Sequence, residues 1–202
     1  MPPGSTEWYA QQTGDIMVMP YNNGAFGAPT MIVQASGGDY HFYPTWSPDS
    51  QWIIFDTCQG CGTYDPQNTR LRMVKAQAGQ TPIELTRATR EMNRSTNWPR
   101  SAPFLQIDGT LMFFTFSSRI PYGFLTSGSN PQIWMSAIDL GKAANSPAED
   151  PSYSPFWLTV QNPAENNHLG TWTESVACVD DTDCPSGFLC QEGSCEPEDV
   201  PK

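Results

Sequence analysis

Two stretches of the chain repeat one another, and self-similarity at a long fixed period decides the fold before any local reading begins. The first runs Tyr43-Pro-Thr-Trp-Ser-Pro-Asp-Ser-Gln-Trp-Ile-Ile-Phe-Asp-Thr57, the second Ala102-Pro-Phe-Leu-Gln-Ile-Asp-Gly-Thr-Leu-Met-Phe-Phe-Thr-Phe116. Each carries an aromatic, then a turn (Pro48-Asp49-Ser50 or Asp108-Gly109-Thr110), then a β-prone run of aliphatic and aromatic residues. Asp and Gly favour tight hairpins, because Asp hydrogen-bonds its own turn and Gly tolerates positive φ. The two aspartates stand 59 positions apart (49 to 108).

A second element recurs in step. The windows 15–24, 70–79 and 132–141 read DIMVMPYNNG, RLRMVKAQAG and QIWMSAIDLG and align without gaps. Ile16, Leu71 and Ile133 share one slot, Met17, Arg72 and Trp134 a looser one, and Val18, Met73 and Met135 the next. Each window closes on a glycine, which reads as turn chemistry. A third, shorter β-prone element follows each window at Pro29–Ala35, Pro82–Arg87 and Ser154–Val160. Four short strands in a unit of about 40–60 residues is the signature of a propeller blade.

The segment Trp46-Ser47-Pro48-Asp49-Ser50-Gln51-Trp52-Ile53-Ile54-Phe55 resembles the WSPDG-x-x-I-x-F core of the TolB-like, PD40-type β-propeller repeat, and Gln132-Ile133-Trp134-Met135 resembles its third strand. The resemblance covers about residues 15–172 and is weaker in the second repeat, where Leu105-Gln106-Ile107 replaces Trp-Ser-Pro. It implies a fold and not a function, since propellers host unrelated activities.

The expected fold is therefore all-β: a partial propeller of about three four-stranded blades in an incomplete ring, plus a small disulfide-rich C-terminal module. The domains read as an N-terminal extension at 1–14, blades at 15–174 and a cysteine-rich tail at 175–202. Strand parsing gives the tail of one blade (about 15–36), two full blades (about 40–87 and 98–160) and the start of another at Asn166–Trp172, aligned loosely with His41–Trp46. A ring typically needs 4–8 blades, so the remaining blades are expected from a longer protein or from a partner. The alternative, an open three-bladed stack, leaves exposed strand edges.

Composition removes several functions. The net charge is −11 and the pI about 4.4, which argues against nucleic acid and against anionic membrane surfaces as partners. No apolar run is long enough to span a bilayer, and Met1–Ser5 lacks the pattern of a signal peptide. Arg87, Arg90, Arg94 and Arg100 form one basic stretch, read as a solvated loop or as a docking loop for an acidic partner or the acidic tail.

Six cysteines fall into two groups. Cys178, Cys184, Cys190 and Cys195 lie in a hydrophilic tail that resembles small disulfide-knotted modules of the Dickkopf-like or EGF-like kind. So short a segment needs covalent staples. Four cysteines allow three connectivities, of which the interlaced pair Cys178–Cys190 and Cys184–Cys195 is expected. A four-cysteine zinc site is the rival, although its usual C-x2–4-C spacing is missing. Asp180, Asp181 and Asp183 offer oxygen ligands for Ca2+, without the register of an EF-hand. Cys58 and Cys61 form a C-x-x-C in a loop after a strand, read as a structural disulfide instead of a redox pair. This usage places the protein outside the cytoplasm: periplasmic, cell-surface or secreted.

No general acid–base pair, nucleophile elbow, P-loop or HExxH motif is present, so no catalytic residue is assigned. The two histidines, His41 and His168, occupy similar blade-start positions and are weak candidates for a paired metal or substrate site near a central channel. No cofactor is expected, Ca2+ being the alternative. The leading expectation is a non-catalytic scaffold that binds a protein through its long loops, Thr57–Thr69 and Ile120–Pro131, with Tyr64, Tyr122 and Phe124 as contact aromatics. The alternatives are a propeller accompanying an enzyme whose chemistry lies elsewhere, or a carbohydrate-binding propeller using exposed tryptophans such as Trp98 or Trp134.

Overall fold

The computed structural model describes residues 14–60, 68–89, 95–106, 109–125, 128–172, 178–184, 188–191 and 193–197. The chain divides into two compact units, Met1–Thr171 and Trp172–Lys202.

The first unit is built of antiparallel sheets. β1 (Ile16–Val18) pairs with β4 (Thr30–Val33), and between them β2 (Tyr21–Asn22) and β3 (Ala25–Phe26) form a hairpin. Its two-residue turn is Asn23-Gly24, both at positive φ (49° and 86°), the combination a right-twisted hairpin requires. A four-stranded meander follows: β5 (Asp39–Trp46), β6 (Trp52–Gln59), β7 (Thr69–Lys75) and β8 (Ile83–Glu84), hydrogen-bonded in that order. A second meander comprises β9 (Asn97–Gln106), β10 (Leu111–Ser118), β11 (Gln132–Asp139) and β12 (Phe156–Trp157). The three sequence windows fall on β1, β7 and β11, and the short elements after them on β4, β8 and β12. Among the described residues, the unit thus holds two complete blades and the outer strand pair of a third.

The Ser47–Trp52 turn shows why this segment closes a hairpin. Asp49 accepts from the Ser47 hydroxyl and the Gln51 amide, and the Ser47 Oγ accepts from Trp52 N (2.9 Å). Ser50 takes the left-handed conformation (φ 57°). In the other blade Gly109 takes this role (φ 77°), while Asp108 lies outside the described residues.

Alternate residues of each strand point to opposite faces, so each blade packs on both neighbours. Ile53, Phe55 and Val74 bury against Ile16, Ile32 and Val33 of the half-blade. The opposite face, with Trp52, Ile54, Leu71, Met73 and Ile83, forms one core with Met112, Phe114, Phe116, Trp134, Ile138 and Trp157. Strand pairing places Arg72 opposite Phe55 and Trp134 opposite Phe116, so Phe55 is equivalent to Phe116. This is two residues beyond what the aspartate spacing predicts, and an even shift leaves every side chain on its expected face.

Two helices interrupt the meanders. α1 (Thr86–Thr89) is a single turn after β8, and α2 (Leu140–Asn145) follows β11. Asp139-Leu140-Gly141 was expected as a turn. Instead Asp139 caps α2, its carboxylate accepting from Lys142 N (2.8 Å), and Leu140 and Ala143 join the core. Asp150 latches the two complete blades together, accepting from the Thr86 hydroxyl (2.8 Å) and Arg87 N (2.6 Å).

The second unit is a small hairpin, β13 (Phe188–Gln191) with β14 (Ser194–Pro197), and a 3-10 turn at Asp181–Asp183. Disulfides Cys178–Cys190 and Cys184–Cys195 staple it, the expected interlaced pairing.

Candidate protein-binding surfaces

The two ends of the blade stack differ from its middle. In the first complete blade, Trp52, Met73 and Ile83 are buried at 6%, 0% and 6% exposure by the next blade. The same three slots in the last blade are Phe113, Met135 and Phe156, identified by pairing to the third strand. Phe113 and Met135 are only half-buried and Phe156 is 49% exposed. Residues 166–171 cover the inner part of this face: the Thr115 and Ser117 hydroxyls donate to the carbonyls of Gly170 and Asn167 (both 3.2 Å), and Gly170 packs on Ile133. The outer part stays open. At the other end, Met17 (49% exposed) and Met31 (37%) are cross-strand partners facing away from the stack, with Met19, Tyr21 and Phe26 exposed nearby in sequence.

A kink recurs along the inner strands. Tyr43-Pro44 and Trp98-Pro99 each place two residues opposite one, at register shifts within β5–β6 and β9–β10. Tyr43, Trp98 and Leu169 all have positive φ (50°, 54° and 57°), which is uncommon for bulky residues. Rings along these kinks form a row: Tyr43 meets Trp98 edge-on at 5.6 Å, and Trp98 meets His168, the residue before Leu169, at 4.5 Å. Aligning the kinks sets Asn167, not His168, beside His41. The histidines are therefore one position out of step and play different parts. His41 is buried, hydrogen-bonds Thr57 (3.0 Å) and sits edge-on to Phe55. Thr96 and Ser118 make the same link in the next blade (2.9 Å). Burial, then the Arg72 guanidinium, lowers the His41 pKa. His168 instead hydrogen-bonds Ser117 (3.1 Å). Among the described residues, neither histidine belongs to a group of three converging metal-ligating side chains.

Asp56 is the most perturbed acid. It lies fully buried between the complete blades, and its Oδ2 accepts from Trp98 N (3.3 Å) at the kink, while Oδ1 has no hydrogen-bond partner. Desolvation raises its pKa well above the ordinary value, against the pull of nearby amides, Trp98 N first. Ser117 occupies the equivalent position and likewise reaches the following inner segment. These residues clamp one blade to the next. On the other face of that sheet, Asp39 binds Arg70 (2.7 Å) and Arg72 (3.2 Å), and both arginines approach Glu84 (3.5 and 3.9 Å).

The loop 119–131 splits in two. Ile120 joins the core, and Tyr122, itself 44% exposed, stacks on Trp157 (5.6 Å) and meets Trp134 edge-on (5.9 Å). Phe124 is fully exposed and Leu125 largely so. Tyr64 and Cys61 lie outside the described residues. Cys58 is disulfide-bonded, yet it sits within β6 at 0% exposure, opposite Thr69, not in the loop where it was expected. Trp98 and Trp134 are buried, while Trp46 is 46% exposed. The basic stretch also separates: Arg87 is on α1 and Arg100 on β9, with Arg90 and Arg94 outside the described residues.

In the tail, the sulfurs of Cys178, Cys184 and Cys195 lie within 4.8 Å of one another, but all four cysteines are spent in disulfides and offer no thiolate to zinc. The carboxylates serve the module's own backbone. Asp180 accepts from Thr182 N (2.9 Å), Asp181 from Cys190 N (2.8 Å) and Asp183 from Val179 N (2.8 Å). Bonds from the Thr182 hydroxyl and amide lower the Asp180 pKa. A cleft of about 430 Å³ lies between β8 and the loop before β12, lined by Pro82, Glu84, Thr86, Pro147 and Asp150. Of its two carboxylates, Asp150 is engaged by Thr86 and Arg87 of α1, and Glu84 is approached by Arg70 and Arg72. Among the described residues no helix is long and apolar enough to cross a membrane.

No protein-family model matches the chain, and no curated protein matches it in sequence.

Proposed function

We propose that this chain is a non-catalytic, extracytoplasmic β-propeller segment of the TolB-like kind, a protein-binding scaffold whose ring is completed by blades from outside these 202 residues. One observation carries this reading: Phe113, Met135 and Phe156 stand open where their counterparts Trp52, Met73 and Ile83 are buried under a following blade. Large exposed apolar faces mark interaction sites. Disulfides in both units support an oxidising compartment. The side chains with shifted pKa values at the blade interfaces, His41 and Asp56, are engaged in structural hydrogen bonds, which supports a scaffold over an enzyme. Phe124 and Leu125, exposed on one loop, are the contacts best suited to a further protein partner.

The test is the native mass of the protein isolated from its source without reduction, joined to hydrogen exchange on β11 and β12. A larger polypeptide or assembly, with protected β11–β12 amides, supports the reading. A native species of 22.4 kDa in which those strands are already fully protected overturns it.

A further inference from the structure

Sulfur is concentrated on one exposed face of the first unit. Of the six methionines among the described residues, Met17, Met19 and Met31 lie on or beside the β1–β4 pair and are 49%, 48% and 37% exposed. Met73 and Met112 are fully buried, and Met135 is half-buried. We propose that Met17, Met19 and Met31 form a site for a soft monovalent cation, Cu(I) or its analogue Ag(I), held by three thioether sulfurs.

Strand pairing brings the three together. Met17 and Met31 are direct partners across β1 and β4, which sets their Cβ atoms about 4.5–5.5 Å apart on one face. Their neighbours Ile16 and Ile32 are buried on the opposite face, and Val18 packs against the same cluster. Along residues 16–19 the side chains thus alternate: Ile16 in, Met17 out, Val18 in, Met19 out. Pro20 follows and keeps Met19 out of helical backbone. Met19 therefore falls on the side of Met17, diagonal to Met31, at a separation of about 7–8 Å. Each side chain has three rotatable bonds and ends in a polarisable thioether, so the three sulfurs can converge on one ion without moving the backbone.

The donor set selects the ion. Thioethers are neutral and soft, which suits Cu(I) and excludes hard cations such as Ca2+ and Mg2+. They also suit an oxidising compartment, where thiols are drawn into disulfides; among the described residues no cysteine is free. The ligands bring no charge of their own, but the net charge of −11 on the chain draws cations to its surface. The inference does not rest on the proposed ring, whose evidence is the opposite end of the stack at β11 and β12.

The 202-residue chain, with disulfides intact, is titrated with Ag(I) and followed by native mass spectrometry. A parallel anaerobic titration sets Cu(I) against a chromogenic Cu(I) chelator. The variants are Met17→Leu, Met19→Leu, Met31→Leu, the triple variant, and Met135→Leu as a control. Leu keeps the volume and apolar character of Met and removes only the sulfur, so a face that merely packs is unaffected. The expected result is a single ion per chain. Each single variant at the site should weaken binding by at least the roughly 10–100-fold that loss of a supporting contact costs a metal site. The triple variant should bind none, and Met135→Leu should bind as the wild type does. Excess Ca2+ should leave the ion in place. A wild type that takes up neither Ag(I) nor Cu(I) overturns the inference. Uptake that survives the triple variant overturns it too, because the ligands then lie elsewhere, and displacement by Ca2+ does so by showing oxygen ligands.

Discussion

Replacing Asp56 by Asn tests whether the blades are joined by a buried neutral acid. Asp56 is 1% exposed, with Oδ2 on Trp98 N and Oδ1 without a partner. Its folded pKa is raised well above 3.8, chiefly by desolvation. The sign follows from linkage. Below about pH 4 the acid is protonated in both states and affects nothing. As pH rises above that, the unfolded chain releases its proton while the folded one holds it, so stability falls until the folded pKa is passed. The slope from this one group is on the order of 1 kcal/mol per pH unit within that window. Asn keeps an acceptor for Trp98 N and cannot ionise. Urea unfolding of both proteins, disulfides intact, between pH 4 and 8 should show Asp56→Asn gaining on the wild type as pH rises. Asp56→Ala should cost about 1–3 kcal/mol at the acid end, where the buried Trp98 amide loses its acceptor. A difference between wild type and Asp56→Asn that stays flat with pH would refute the argument, because the carboxyl would then be ionised in the fold.

Other consequences are open to measurement. Met73→Ala should destabilise the blades by about 2–5 kcal/mol, whereas Met135→Ala in the same slot of the last blade should cost the single chain much less, read by denaturant midpoint. His41, with its lowered pKa, should lose stability as pH falls below 6.5; His41→Gln should flatten that acid limb. Removing Cys184–Cys195 with paired serines should cost the tail about 2–5 kcal/mol and make it protease-sensitive while near-ultraviolet dichroism of the blade aromatics persists. Phe124→Ala should leave stability within about 0.5 kcal/mol yet weaken capture of a protein partner.

Strand positions were readable because they follow from period and turn chemistry. The third-strand windows fall on β1, β7 and β11, and the Ser47–Trp52 hairpin is made by the residues that predict it. The disulfide pairing also matched expectation. What was not readable depends on tertiary contact. Asp139 favours a turn and a helix cap equally well, and packing of Leu140 and Ala143 decides for the helix. Cys58 joins β6 because Thr69 pairs with it across the sheet. Trp134 becomes core because the preceding blade packs on its face, with Tyr122 edge-on to it from a loop whose path no local pattern sets. The clamp at Asp56 left a faint trace: an acid ending a run of Trp-Ile-Ile-Phe is costly to bury without a partner.

The inner-strand kinks bear on how such a protein acquires its structure. Trp98 holds a left-handed conformation at the kink of β9, and its amide is held by Asp56 of the preceding blade. In residues 166–171 it is the carbonyls of Gly170 and Asn167 that are held, by the Thr115 and Ser117 hydroxyls of the preceding blade. Each blade thus presents a template for the first strand of its successor, and ordering should propagate along the chain from N- to C-terminus, as in a one-dimensional array with nearest-neighbour coupling. Such an array suits a polypeptide that folds while it is still emerging, since each new strand meets a finished surface.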